Sequence, residues 1–240
     1  MKLKLSTLVS TTLGSIVASL LLFGSSAFAQ GIYTSGNVGT DVSWPNCSAS
    51  ISATYKFGIV GVTNGTGYST SPCLAAEATH FTNLSLYANT GWYSGSTHVT
   101  ATIPKLCSAG DNNCLAYNYG YNAGLYAYDA AAGVNVHSTT WWLDVENGNT
   151  WSTDTLQNQN SLQGEYDALL ARGVTTIGAY STTAQWNAIT SNWINNWPGW
   201  GATTVKTANQ AKTYCSGHQF TGGATWLIQF RGSLDQDYAC

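Results

Sequence analysis

The run Trp141-Trp142-Leu143 ends in two carboxylates, Asp144 and Glu146, in a chain of which only 8% of the residues are charged. In an extended strand, residues two apart project from the same face, roughly 6.6 Å from each other at about 3.3 Å of rise per residue. Carboxyl groups about 5 to 10 Å apart flank the scissile bond in most glycoside hydrolases, one as acid and the other as nucleophile or base. A strand end that merely turns polar on meeting solvent has the same spelling. The pair therefore gains meaning only from what else the fold brings to it.

The elements around the pair follow from periodicity and turn chemistry. Apolar and β-branched runs predict strands over 39–43, 57–62, 84–88, 139–145, 174–180 and 225–230. Helical composition or spacing predicts helices over 71–81, 117–132, 154–172, 183–193 and 207–215. Pro72 is tolerated in a first helical turn, Asp154-Thr155-Leu156-Gln157 reads as a capping box, and Gly133 and Gly173 stand where C-terminal cap glycines belong. Strands and helices alternate, so the expected class is α/β with a largely parallel sheet. A compact β/α barrel is the leading form and an open doubly wound sheet the alternative. In either, chemistry collects at the carboxyl ends of the strands. Asp41 falls near the end of the first strand, Asp144 and Glu146 end the fourth, and Asp235 and Asp237 follow the last, which is five of the 11 acidic residues. Helix faces account for Glu77, Asp129, Glu165 and Asp167.

Residues 1–29 read as a secretory leader: Lys2 and Lys4, an apolar stretch from Leu13 to Phe23, then Ala27-Phe28-Ala29 as a cleavage box. An uncleaved anchor is the alternative, but it needs about 20 apolar residues. A secreted product without membrane contact is expected, with residues 30–240 as one domain. Without Lys2 and Lys4 that domain carries 6 basic and 11 acidic side chains, a formal charge of −5, which argues against nucleic acid as a partner. Six cysteines in an exported chain imply up to three disulfides. Many pairings are open; Cys107–Cys114, Cys47–Cys73 and Cys215–Cys240 are favoured because each joins neighbours in the layout. No C-x-x-C is present, and His80, His98, His137 and His218 lack ligand spacing, so neither metal nor cofactor is expected. No G-x-S-x-G elbow exists, and 61–67 lacks the Lys-Ser or Lys-Thr of a phosphate loop.

Taken together, the strand ends resemble glycoside hydrolase family 25, the muramidase-type lysozymes. Gly39-Thr40-Asp41-Val42-Ser43 is similar to the family's opening strand, and Phe57-Gly58-Ile59-Val60-Gly61-Val62 with the glycine-rich turn to Tyr68 to its second. Leu143-Asp144-Val145-Glu146 matches its D-x-E signature and Ile177-Gly178-Ala179-Tyr180-Ser181 its glycine-tyrosine-serine strand. Trp226-Leu227-Ile228-Gln229-Phe230 followed by Leu234-Asp235 resembles its closing strand and terminal aspartate. The order is the family's, over nearly all of the domain. The chain departs at Trp44-Pro45-Asn46-Cys47, at Gly61 and Thr63, and at Tyr87-Ala88-Asn89-Thr90-Gly91-Trp92, where the common aromatic ending is missing.

The resemblance implies an irregular, TIM-like, eight-stranded β/α barrel and cleavage of a β-1,4 bond next to an N-acetylated sugar, most simply in peptidoglycan. It implies Glu146 as general acid and Asp144 as nucleophile or as the group that orients the substrate's acetamido group. Asp41 and Asp235 then hold the sugar and keep a proton on Glu146. Tyr180, Gln229, Trp44 and Trp92 are the candidate substrate contacts, the two tryptophans, like Trp151, because they lie just past strand ends. Trp142 and Trp226, within strands, are expected in the core; Trp193, Trp197 and Trp200 form a packed loop or a rim. The expected protein is a secreted, monomeric glycosidase acting on a polysaccharide. The rival is a non-catalytic glycan-binding or cell-surface protein on the same barrel.

Overall fold

The structure, a computed structural model, describes residues 32–240; the expected leader lies outside the described residues. Eight strands close a barrel in chain order: β1 (Val38–Val42), β2 (Gly58–Gly61), β3 (Leu84–Asn89), β4 (Thr140–Asp144), β5 (Thr176–Ser181), β6 (Gly199–Ala202), β7 (Thr225–Phe230) and β8 (Gln236–Ala239). Neighbours from β1 to β7 run parallel, while β8 closes the ring antiparallel to both β7 and β1. The helices are α1 (Leu74–Ala78), α2 (Asn112–Gly133), α3 (Thr155–Ala171), α4 (Thr183–Thr190) and α5 (Ala208–Lys212). This is the single-domain α/β barrel expected, and the open sheet is excluded.

Strand alternation sorts the side chains into two layers. On β4, Trp141 and Leu143 face outward into the apolar layer under the helices, with Val60, Leu86, Leu162, Leu169 and Trp186. Trp142 faces inward and packs with Tyr33, Phe57, Ile59, Trp200, Trp226 and Leu227. The indole and the phenol in this floor are matched: Trp142 Nε1 donates to Tyr33 Oη at 2.9 Å and Tyr33 Oη to Ser85 Oγ at 2.7 Å. Space inside the ring decides the glycines. A Cβ on Gly178 would lie 2.3 Å from the Trp142 ring, and one on Gly39 2.3 Å from the Phe57 ring.

The helices α2 and α3 pack closely enough that small residues are required. A Cβ on Gly164 would stand 2.1 Å from the Tyr117 carbonyl oxygen. Asp154 caps α3 through Leu156 N–H, and Gly173, at φ +88°, ends it as expected. Gly133 is not a left-handed cap; it is the last residue of α2, and Asn135 at φ +59° takes the left-handed turn. The helix expected over 71–81 is only Leu74–Ala78, with Pro72 ahead of it. Strands β6 and β8 were not expected: Gly199-Trp200-Gly201-Ala202 has no β-branched residue, and β8 is the short antiparallel closure.

The disulfides are Cys47–Cys73, Cys107–Cys114 and Cys215–Cys240, and the described residues hold no free cysteine. The first ties the turn after β1 to the start of α1, the second tightens the loop before α2, and the third pins the end of β8 to the segment after α5. Among the described residues no helix is long and apolar enough to cross a membrane.

Candidate active site

The same alternation that buries Trp142 brings Asp144 inward at the carboxyl end of β4. The ladder continues one residue beyond the strand, Val145 N–H donating to Tyr180 O at 2.9 Å, so Glu146 returns to the same side. Asp41 comes inward at the end of β1. Asp235 is held beside it because its carbonyl oxygen accepts from Thr40 Oγ1 at 2.6 Å and from Asp41 N–H at 3.3 Å. These four acids line one cleft of about 300 Å³ together with Ser43, Pro45, Asn46, Tyr87, Tyr180, Trp200 and Gln229. A hollow of about 370 Å³ opens around the amino-terminal ends of β3 and β4, between Leu84, Tyr128, Trp141 and Val174, but no carboxyl group lines it.

Hydrogen bonds fix the walls of the cleft. Tyr180 Oη donates to Gln229 Oε1 at 2.8 Å, and Gln229 Nε2 donates to Asp41 Oδ2 at 2.9 Å. The polar ends of both candidate contacts are thus turned on each other and on Asp41. Asp144 Oδ2 accepts from Asn89 Nδ2, whereas its Oδ1 meets no donor of the protein. Three donors hold the Asp144 carbonyl oxygen: Thr90 Oγ1 at 2.5 Å, Thr90 N–H at 3.2 Å and Asn149 Nδ2 at 3.0 Å. Trp151 is not a cleft wall; its Nε1 donates to Glu146 O at 2.8 Å and steadies the turn that carries the acid.

Every acid in the cleft is pushed toward its neutral form, first by burial. Asp144, 4% exposed, is held well above the ordinary carboxylate range, with Glu146 and Asp41 adding like-charge repulsion and Asn89 opposing it. Glu146 is also raised, by burial and by Asp235, against the Gln185 amide that favours its ionised form. Asp41 is raised to about 7 by burial, opposed by the Gln229 amide and aided by Asp235. Burial raises Asp235, and Arg231 partly offsets it. Carboxyls this close release their protons as a set, so near neutrality some remain protonated.

A fifth acid belongs to the group. Asp237, inward on β8, is fully buried beside Asp41; Trp200 Nε1 donates to its Oδ1 at 2.7 Å, while Oδ2 meets no N–H or O–H donor. One proton shared with Asp41 relieves both. Asp237 was placed at a strand end by the sequence but not chosen as a site residue, and its two-residue spacing from Asp235 was the available signal. Tyr87 and Asn89 were also missed, although Ser85, Tyr87 and Asn89 alternate with apolar Leu84, Leu86 and Ala88. Trp200, expected in a packed loop or rim, is an interior residue of β6, its ring 4.4 Å from that of Tyr180.

Two expected contacts are displaced. Trp92 is 1% exposed and lies outside the cleft, its Nε1 bonded to Gln157 Oε1 at 2.8 Å; the chain turns outward after Asn89 and packs it on α3. Trp44, 45% exposed, stands at the rim on a 3-10 turn whose next residues, Pro45 and Asn46, form the wall. Of the acids assigned to helix faces, Asp129 pairs with Arg172 at 2.9 Å on the surface, but Glu77 and Glu165 are buried on inner faces. Among the described residues no group of three or more His, Cys, Asp or Glu could hold a metal ion.

No family model matches the chain, and no curated protein matches it in sequence. Solved structures do match. A bacterial lysozyme from Streptomyces coelicolor is 18% identical over 86% of this chain and 93% of its own, with a TM-score of 0.54. A muramidase from Acremonium alcalophilum is 15% identical over 85% and 93%, with a TM-score of 0.56. The virulence factor GHIP, a glycosyl hydrolase 25 of Streptococcus pneumoniae, is 15% identical over 85% and 87%, with a TM-score of 0.54. At these identities the likeness establishes the fold, and it bears out the resemblance to glycoside hydrolase family 25 as that of a divergent chain.

Proposed function

We propose that this protein is a secreted glycoside hydrolase that cleaves a β-1,4 bond next to an N-acetylated sugar, with peptidoglycan as the first substrate to test. The observation that carries the reading is the meeting of Asp41, Asp144, Glu146 and Asp235 in one cleft at the carboxyl end of the barrel. Glu146 is the general acid: it is the more open of the D-x-E pair, and burial and Asp235 favour the proton it must deliver to the leaving oxygen. Asp144 acts from the opposite role, as nucleophile or by orienting the substrate's acetamido group. Asp41 and Asp235 hold the sugar, and the Tyr180–Gln229 pair orients Asp41. The solved relatives named as lysozyme and muramidase support the choice of substrate class, and the leader-like residues 1–29 support export.

The test is incubation of the purified protein with peptidoglycan and, separately, with chitin fragments, followed by measurement of new reducing ends and identification of the sugar that bears them. Muramic acid at the new reducing end is the expected result. N-acetylglucosamine ends from chitin alone would move the substrate to another N-acetylated glycan. Binding without new ends from either polymer would favour the non-catalytic, glycan-binding reading.

A further inference from the structure

Burial opposes the ionisation of Asp144 first, then the like charges of Glu146 two residues on and Asp41 on β1. Its other titratable neighbours, Tyr87 on β3, Tyr180 on β5 and Glu165 on α3, are themselves held toward their neutral forms by burial and by Asp144. A neutral carboxyl is a poor nucleophile and a poor acceptor for an acetamido N–H. The opposing influence comes from one side chain, the Asn89 amide, which stands directly across from Asp144 in the β3–β4 register.

The direction of that amide is set by a third residue. Asn89 N–H donates to Thr63 Oγ1 at 2.9 Å, and a backbone N–H can only donate, so the hydroxyl is the acceptor there. Its own proton then goes to Asn89 Oδ1, at 2.7 Å. Thr63 is buried, so solvent is no alternative partner. With its oxygen engaged, the amide presents its NH₂ to Asp144 Oδ2. The inverted amide would set oxygen against oxygen and leave the Thr63 proton unmatched, which is costly in a buried network.

We propose that Thr63 and Asn89 are positioning residues that reserve Oδ2 of Asp144 as an acceptor and so fix how the carboxyl is held at the base of the cleft. The assignment rests on the role given to Asp144 above. Thr90 and Asn149 hold the Asp144 carbonyl oxygen and so fix the backbone from which the carboxyl projects. A hydrogen bond to the charged form favours that form, so the relay opposes the burial and like charges that raise Asp144.

The experiment titrates Asp144 directly, by NMR of protein labelled with ¹³C at the aspartate carboxyls, the signal being assigned with Asp144→Asn. In Asn89→Ala and Thr63→Val the Asp144 signal titrates about 1 to 2 pH units higher than in the wild type. Thr63→Ser keeps the hydroxyl and restores the wild-type titration. With an active substrate, kcat of Asn89→Ala falls about tenfold or more with little change in KM, and the acid limb of the pH profile moves up with the carboxyl. Unchanged titration in Asn89→Ala and Thr63→Val, with native near-UV circular dichroism, overturns the relay, as does a Thr63→Ser shift equal to that of Thr63→Val. If the wild type releases no reducing ends yet the titration shifts as stated, the hydrolase reading fails while the relay stands.

Discussion

The two ends of the barrel are filled by the same inward-facing positions and follow opposite rules. At the floor, Tyr33, Phe57, Ile59, Trp142, Trp226 and Leu227 fill the ring, and the Tyr33 and Trp142 polar atoms have partners. At the mouth, one turn of alternation further on, the positions carry Asp41, Asp144, Tyr180, Gln229 and Asp237. There Asp144 Oδ1 has no donor from the protein, and Asp237 Oδ2 has only the proton shared with Asp41. Buried carboxyls without donors are costly, and nothing in the packing of the floor calls for them. Stability is stored at the floor, and the mouth gives some of it up.

The largest effect that tests this contrast is at the floor. Trp142→Ala removes a fully buried indole and the hydrogen bond it donates to the Tyr33 hydroxyl, and should cost about 3 to 5 kcal/mol in chemical denaturation. A cost near zero would remove the floor from the account.

The second effect is the dependence of stability on pH. Asp41 and Glu77 are both raised to about 7, Glu77 by burial with neither oxygen partnered. A raised acid holds its proton in the folded state at pH values where the unfolded chain has already released it. Its contribution is therefore fully present below about pH 4 and is lost as the pH rises through about 7. Melting temperature should fall between pH 5 and pH 8, and fall less in Glu77→Met. A melting temperature that rises over this window would contradict the burial of these acids.

The smallest effect has the opposite sign to the first. Asp237→Asn keeps an acceptor for Trp200 and removes a like charge from beside Asp41, so at pH 8 it should stabilise, by about 1 kcal/mol. Destabilisation by a similar amount would mean that the mouth is built for stability like the floor.

How much of this was legible in the sequence depends on what each residue's position relies on. Asp144 and Glu146 were readable because alternation within one apolar run fixes their face, and a parallel barrel fixes which strand end matters. Asp41 and Asp235 followed from the same rule. Asp237 was not chosen because its inward direction depends on β8, a short antiparallel strand with no apolar run to announce it. Trp200 was misplaced because Gly199 and Gly201 read as loop, whereas they are the outward positions of β6, facing Phe220, His218 and Ile228. Trp92 shows the converse limit: nearness to a strand end says nothing about which way the chain turns next, and here it turns onto α3. Buried Glu77 and Glu165 were hidden because helical spacing identifies a face without saying what covers it.

The most direct measurement takes Glu146→Gln and reads hydrolysis and melting temperature on the same preparation. The amide keeps shape and hydrogen bonding but delivers no proton, so turnover of peptidoglycan should fall about 10²- to 10⁴-fold while the melting temperature stays level or rises. Cleavage as fast as that of the wild type would contradict the account, because the mouth of the barrel would then hold buried acids without using the one placed to give up its proton.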